Sequence, residues 1–103
     1  MKSIIDGDVK GRCYRCARQG PTERHHIFGA ANRKWSEKYG LTVQLCHFCH
    51  NEPPKGVHHN RDTDEWLKRV GQTAFEVTEV NETDCTWEEA RQRFMQIFGK
   101  NYM

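Results

Sequence analysis

The apolar positions change period along the chain, and the changes mark its elements. Leu41 to Leu45 alternates apolar and polar residues, the two-residue period of a short strand. Before it, Thr22 to Gly29 reads as an extended segment, anchored at its end by Ile27 and Phe28, with Gly29 allowing a turn. Between the two, Ala30 to Tyr39 is expected to be a short helical or irregular connection stopped by Gly40. A brief helix after Leu45 is cut short by Pro53, Pro54 and Gly56. From Arg61 the spacing becomes helical: Trp66, Leu67, Val70, Ala74, Phe75 and Val77 form a stripe, with Asp62 and Glu65 as a capping box. Asn81 to Asp84 reads as a linker. Thr86 and Glu89 make a second capping box, and Trp87, Ala90, Phe94, Ile97 and Phe98 form a last stripe ended by Gly99. Met1 to Gly11 fits neither period and is expected to be an arm or an edge strand.

Two strands and several helices make an α+β chain with three parts: an N-terminal arm (1–11), a core (12–60) and a C-terminal helical extension of the same domain (61–103). At 103 residues the core is modest, so a metal or an oligomer is expected to support it. The C-terminal helices read as scaffold. Their Trp87–Phe98 stripe could also serve a homodimer or another protein contact. No apolar run approaches the ~18 residues of a membrane span and no signal-peptide segment follows Met1. The expectation is therefore no membrane partner and a cytoplasmic location.

Cysteine spacing adds chemistry to that outline. Four of the five cysteines form two Cys-x-x-Cys pairs, Cys13/Cys16 and Cys46/Cys49. In a reducing compartment two such pairs point to one structural Zn2+ rather than to disulfides. Ala17 and Gly20 permit the tight turn the first pair needs, and four thiolates leave no open position for catalysis. Cys85 stands apart as a small core or partly buried thiol.

The six histidines are His25, His26, His47, His50, His58 and His59. Neighbours on an extended segment face opposite ways, so one of His25 and His26 can bind a metal while the other faces a substrate. His50 directly follows Cys49, and the zinc clamp would fix its backbone. His25, His50 and one of His58 or His59 could hold a divalent ion with positions left for phosphate and water, leaving His26 as general base. Charge agrees with a phosphate-bearing partner: residues 1–40 hold nine Lys/Arg against four Asp/Glu, whereas residues 41–103 hold seven against ten. Arg15 and Arg18, with Arg12, could touch phosphates or compensate the thiolates.

The order Cys-x-x-Cys, His-His-Ile, then Leu-Cys-x-x-Cys-His resembles the HNH nuclease family in its zinc-bearing ββα-metal (His-Me finger) form. More narrowly, the chain is similar to small phage and prophage HNH-like proteins with a His-His-Ile-Phe-Gly segment. The likeness spans roughly residues 12–60, and the tail extends it over most of the chain. It implies a ββα-metal core clamped by zinc, and a metal-dependent DNA endonuclease or nickase in a bacterial or phage-infected cell. It further implies that His25 is a ligand, His26 the general base, His50 a second ligand and His58 a third, with His59 as fallback. Arg33 or Lys34 would steady the phosphate. The catalytic ion could be Mg2+, Mn2+, Ni2+ or Zn2+, and the histidine-rich set favours the last three. One departure is that the family's middle asparagine has no counterpart at Gly40–Leu41, leaving Asn32, Asn51 or Asn60 to order the loop. Two alternatives are a zinc-stabilised nucleic-acid-binding module without cleavage and an adaptor built on the Trp87–Phe98 stripe.

Overall fold

The computed structural model describes residues 1–103. Strand β1 (Glu23–His26) pairs antiparallel with β2 (Thr42–Leu45), His25 opposite Val43 and Glu23 opposite Leu45. The connection is long and carries a 3-10 turn (Ala30–Asn32) and helix α1 (Arg33–Tyr39). Gly40 ends α1 in the left-handed region at φ 69°, which a glycine adopts without a Cβ penalty. Its amide donates back to the Ser36 carbonyl, and the chain re-enters the sheet at once. Helix α2 (His47–His50) is a single turn, and another 3-10 turn (Val57–His59) leads into α3 (Arg61–Thr83) and α4 (Trp87–Phe98).

All four residues of β2 are buried, Thr42 and Gln44 included, because the N-terminal segment covers its outer edge. Ser3 Oγ donates to the Thr42 carbonyl, Gln44 N donates to Asp6 Oδ2 at 2.7 Å, and Tyr14 N donates to the Gln44 carbonyl at 2.8 Å. Residues 1–11 are therefore neither a free arm nor an edge strand. They are a run of turns whose side chains satisfy an edge that would otherwise be open.

The C-terminal helices form the other wall. Phe28, just past β1, meets Phe94 and Phe98 of α4 at ring-centroid distances of 5.5 and 4.6 Å. Phe75 of α3 closes the cluster, 5.6 Å from Phe94. Burying each such ring stabilises by roughly 2–3 kcal/mol. One apolar core thus joins Cys13, Val43 and Cys46 at the sheet to Phe75, Phe94 and Phe98 on the helices. Gly71 lies inside α3 because Phe28 needs its space.

Several expectations change. The cap of α3 is Asn60, whose side chain accepts from Thr63 N, so Asp62 and Glu65 are not a capping box. The expected linker 81–84 is mostly helix, since α3 runs to Thr83 and only Asp84 turns left-handed. Thr86 and Glu89 do form the expected box. Most of the α4 stripe is consumed within the chain: Ala90 and Phe94 are fully buried and Phe98 nearly so. Only Trp87 stands out, 57% exposed, so the face expected to support a homodimer or an adaptor contact is already covered. No helix is long and apolar enough to cross a membrane.

Candidate metal centres

Cys13, Cys16, Cys46 and Cys49 converge, with their four sulfurs within 4.8 Å of one another. The β1–β2 pairing makes this possible by bringing the turn after Cys13 beside the end of β2. Ala17 supplies the left-handed residue of the first knuckle at φ 62°. Cys16 Sγ lies 3.7 Å from Cys46 Sγ, far from disulfide distance. A tetrahedron with ~2.3 Å Zn–S bonds has edges of ~3.8 Å, so the spacing fits zinc. Burial raises the Cys13 thiol, but the backbone amides of Cys16, Cys46 and Arg15 outweigh it and bring it down to about 7. Amides aimed at sulfur are what a thiolate ligand needs. The four cysteines can therefore hold a structural metal such as zinc.

The second centre is His25, His50 and His58, whose ring nitrogens also lie within 4.8 Å of one another. Each comes from a different element: His25 from β1, His50 from the end of α2, and His58 from the turn before α3. His50 Nε2 and His58 Nε2 are 3.0 Å apart. His25 is 5% exposed, and its Nε2 is a buried polar atom with no hydrogen-bond partner. Burial first, then repulsion from His50 and His58, pulls the His25 pKa down to about 3. His25 is thus neutral at ordinary pH, with its lone pair available to a ligand-seeking cation. Three imidazoles with one orphaned nitrogen suit a borderline ion such as Zn2+ or Ni2+, and accept the harder Mn2+ more readily than Mg2+.

Of the paired histidines, geometry selects His58. His59 is exposed and lies outside the cluster. His26 faces away from His25, as strand alternation requires, and its Nε2 lies 2.8 Å from Glu37 Oε2. His47 is exposed and pairs with Glu52 at 2.7 Å.

Two carboxylates stand behind the histidines, and neither was singled out from sequence. Glu23 Oε1 accepts from His50 Nδ1 at 2.8 Å, leaving His50 Nε2 to face the cluster. Its position two residues before His25, on the same strand face, was a usable signal. Glu37 lies eleven residues beyond His26 on α1, and no spacing rule announces it.

The basic residues divide. Arg15 Nη1 sits 3.6 Å from Cys49 Sγ, where it would offset the charge of a metal-bound thiolate. Arg18 packs its guanidinium 4.9 Å from the exposed Phe48 ring, at a shallow cleft of about 400 Å³ that Arg15 and Lys55 also line. Arg33 and Lys34 are exposed on α1, where no carboxylate pairs with them. None of the three candidate asparagines touches His26. Asn32 donates to the Phe98 carbonyl, Asn51 to Glu23, and Asn60 caps α3 while donating to the Pro54 carbonyl.

Comparison with protein-family models, with curated proteins and with solved structures finds no match.

Proposed function

We propose that the chain is a metal-dependent DNA endonuclease or nickase of the HNH type. The observation that carries this reading is that His25, whose buried Nε2 has no hydrogen-bond partner, gathers with His50 and His58 from separate elements. A structural histidine cluster would satisfy that nitrogen, whereas a ligand set leaves it free. His25, His50 and His58 would hold one divalent ion, with His59 left in solvent. That ion, when bound, supplies positive charge and Lewis acidity at the scissile phosphate. His26 takes the proton from the attacking water as general base. Arg33 and Lys34 steady the flanking phosphates. Cys13, Cys16, Cys46 and Cys49 would hold Zn2+ and keep the strand and α2 in register.

Incubating the protein with supercoiled plasmid across Mg2+, Mn2+, Ni2+ and Zn2+ tests this reading. Nicked or linear product is expected, and His26→Ala should lower its rate by about 100-fold or more while cysteine-bound zinc is retained. Equal cutting by His26→Ala removes the base assignment. A parent inactive with every ion, yet binding DNA, would mark a zinc-stabilised binding module instead.

A further inference from the structure

His26 is held by a chain of side chains that the ligand cluster does not use. Arg24 and His26 are two residues apart on β1 and share the face opposite His25. Both reach Glu37, which α1 brings over that face: Arg24 Nη1 donates to Glu37 Oε2 at 2.6 Å, and His26 Nε2 lies 2.8 Å from the same oxygen. Arg24 is itself fixed, its Nε donating to Asp8 Oδ1 at 3.2 Å and its Nη2 to the Met1 carbonyl at 3.0 Å. The order is therefore Asp8, Arg24, Glu37, His26.

We propose that Glu37 is the positioning residue for His26: its carboxylate accepts the Nε2–H and fixes the imidazole in the tautomer that leaves Nδ1 free to take a proton. An ionised carboxylate can only accept, so the shared proton must sit on Nε2. Hydrogen bonds from His26 and Arg24 hold the Glu37 carboxyl down to about 2, which keeps it ionised throughout the neutral range. Glu37 also restricts ring rotation, because its second donor, Arg24, fixes where the oxygen stands. A base left free to rotate or to exchange tautomers presents the wrong nitrogen for part of the time, and such a loss costs orders of magnitude in comparable dyads. Asn32, Asn51 and Asn60 are all engaged elsewhere, so none of them holds His26. The inference rests on reading His26 as the base.

Long-range proton–nitrogen correlation spectra of the zinc-loaded protein read the tautomer without any cleavage assay. At about pH 8, where free imidazoles are neutral, His26 should be wholly Nε2–H in the parent and in Glu37→Gln, which keeps an acceptor oxygen. It should be a mixture in Glu37→Leu. Glu37 is half-exposed, so leucine leaves the core untouched. In plasmid cutting, kcat of Glu37→Leu should fall by roughly 10- to 100-fold with KM nearly unchanged, and Glu37→Gln should lie between. An unchanged His26 tautomer in Glu37→Leu overturns the proposal, as does a shifted tautomer with parent-like kcat. If the parent itself cuts nothing, the nuclease reading falls, and the tautomer still decides whether Glu37 orients His26.

Discussion

Phe28 lies over Gly71 so closely that a Cβ added there would sit 2.8 Å from Phe28 Cε2 and 3.1 Å from Ile27 Cγ2. Two effects oppose each other at this position. Alanine gains about 1 kcal/mol of helix propensity over glycine. Overpacking costs ~1–3 kcal/mol where the neighbour cannot recede. Phe28 cannot recede, because Phe98 and Phe94 stand behind it at 4.6 and 5.5 Å. Gly71→Ala should therefore destabilise by up to about 2 kcal/mol net, read as a lower midpoint in urea unfolding. A higher midpoint would mean that helix propensity prevails. Glu37 makes a second prediction at this scale. Its carboxyl is lowered from 4.5 to about 2 by hydrogen bonds from His26 and Arg24. A carboxylate with a depressed folded pKa adds stability above the unfolded value and loses it as pH falls toward the folded one. The parent should thus lose stability relative to Glu37→Gln between about pH 4.5 and 2. Raised salt should shrink the difference, because the group is half-exposed. Parallel acid-unfolding curves for the two proteins would remove this account.

Helix caps separate what holds the fold from what serves the site. Thr86 caps α4 in a reciprocal box with Glu89, and its hydroxyl touches nothing in the histidine cluster. Asn60 caps α3 and also donates to the Pro54 carbonyl at 3.1 Å, tying down the loop that carries His58. Both changes to alanine should cost about 1 kcal/mol in thermal unfolding. Only Asn60→Ala should also weaken divalent-ion binding at the histidines, measured by calorimetric titration with Mn2+ after the cysteine site is filled. Equal ion affinity in the two variants would show that the cap does not order the loop. The same two helices show what a local pattern can reveal. The Thr86–Glu89 spacing is legible because both partners lie within one turn. Asp62 and Glu65 have that spacing too, yet Asn60 starts the helix earlier because its side chain reaches Thr63 N and leaves Asp62 inside the first turn.

Across the whole molecule, the legible parts are those encoded by short spacing: both Cys-x-x-Cys pairs, the alternation of Leu41–Leu45, and the opposed faces of His25 and His26. Illegible parts depend on contacts between distant segments. The docking of residues 3–14 on β2 uses scattered side-chain and backbone bonds with no period, and Glu37 meets His26 only because α1 folds back over β1. Convergence of His25, His50 and His58 was legible as a candidate, while the choice between His58 and His59 needed the turn at Val57–His59. These long-range placements converge on the cysteine clamp, which sets the last prediction. A two-stranded sheet of four-residue strands is not stable alone. A metal held by the four cysteines would bind the segment before β1 to the helix after β2 and so fix the register that aligns His25 with His50. Structural zinc contributes about 10–16 kcal/mol in small metal-folded domains, comparable with the ~5–15 kcal/mol of a whole domain's stability. Removing zinc with a strong chelator should therefore unfold the chain. Because Phe28 joins the sheet to α3 and α4 in a single core, the loss should be one cooperative transition by circular dichroism, reversed by zinc. Emptying the histidine site by His58→Ala should leave that transition nearly in place, since His58 is exposed and lies outside the core. An apo protein with an unchanged thermal midpoint would show that the four cysteines do not clamp the fold.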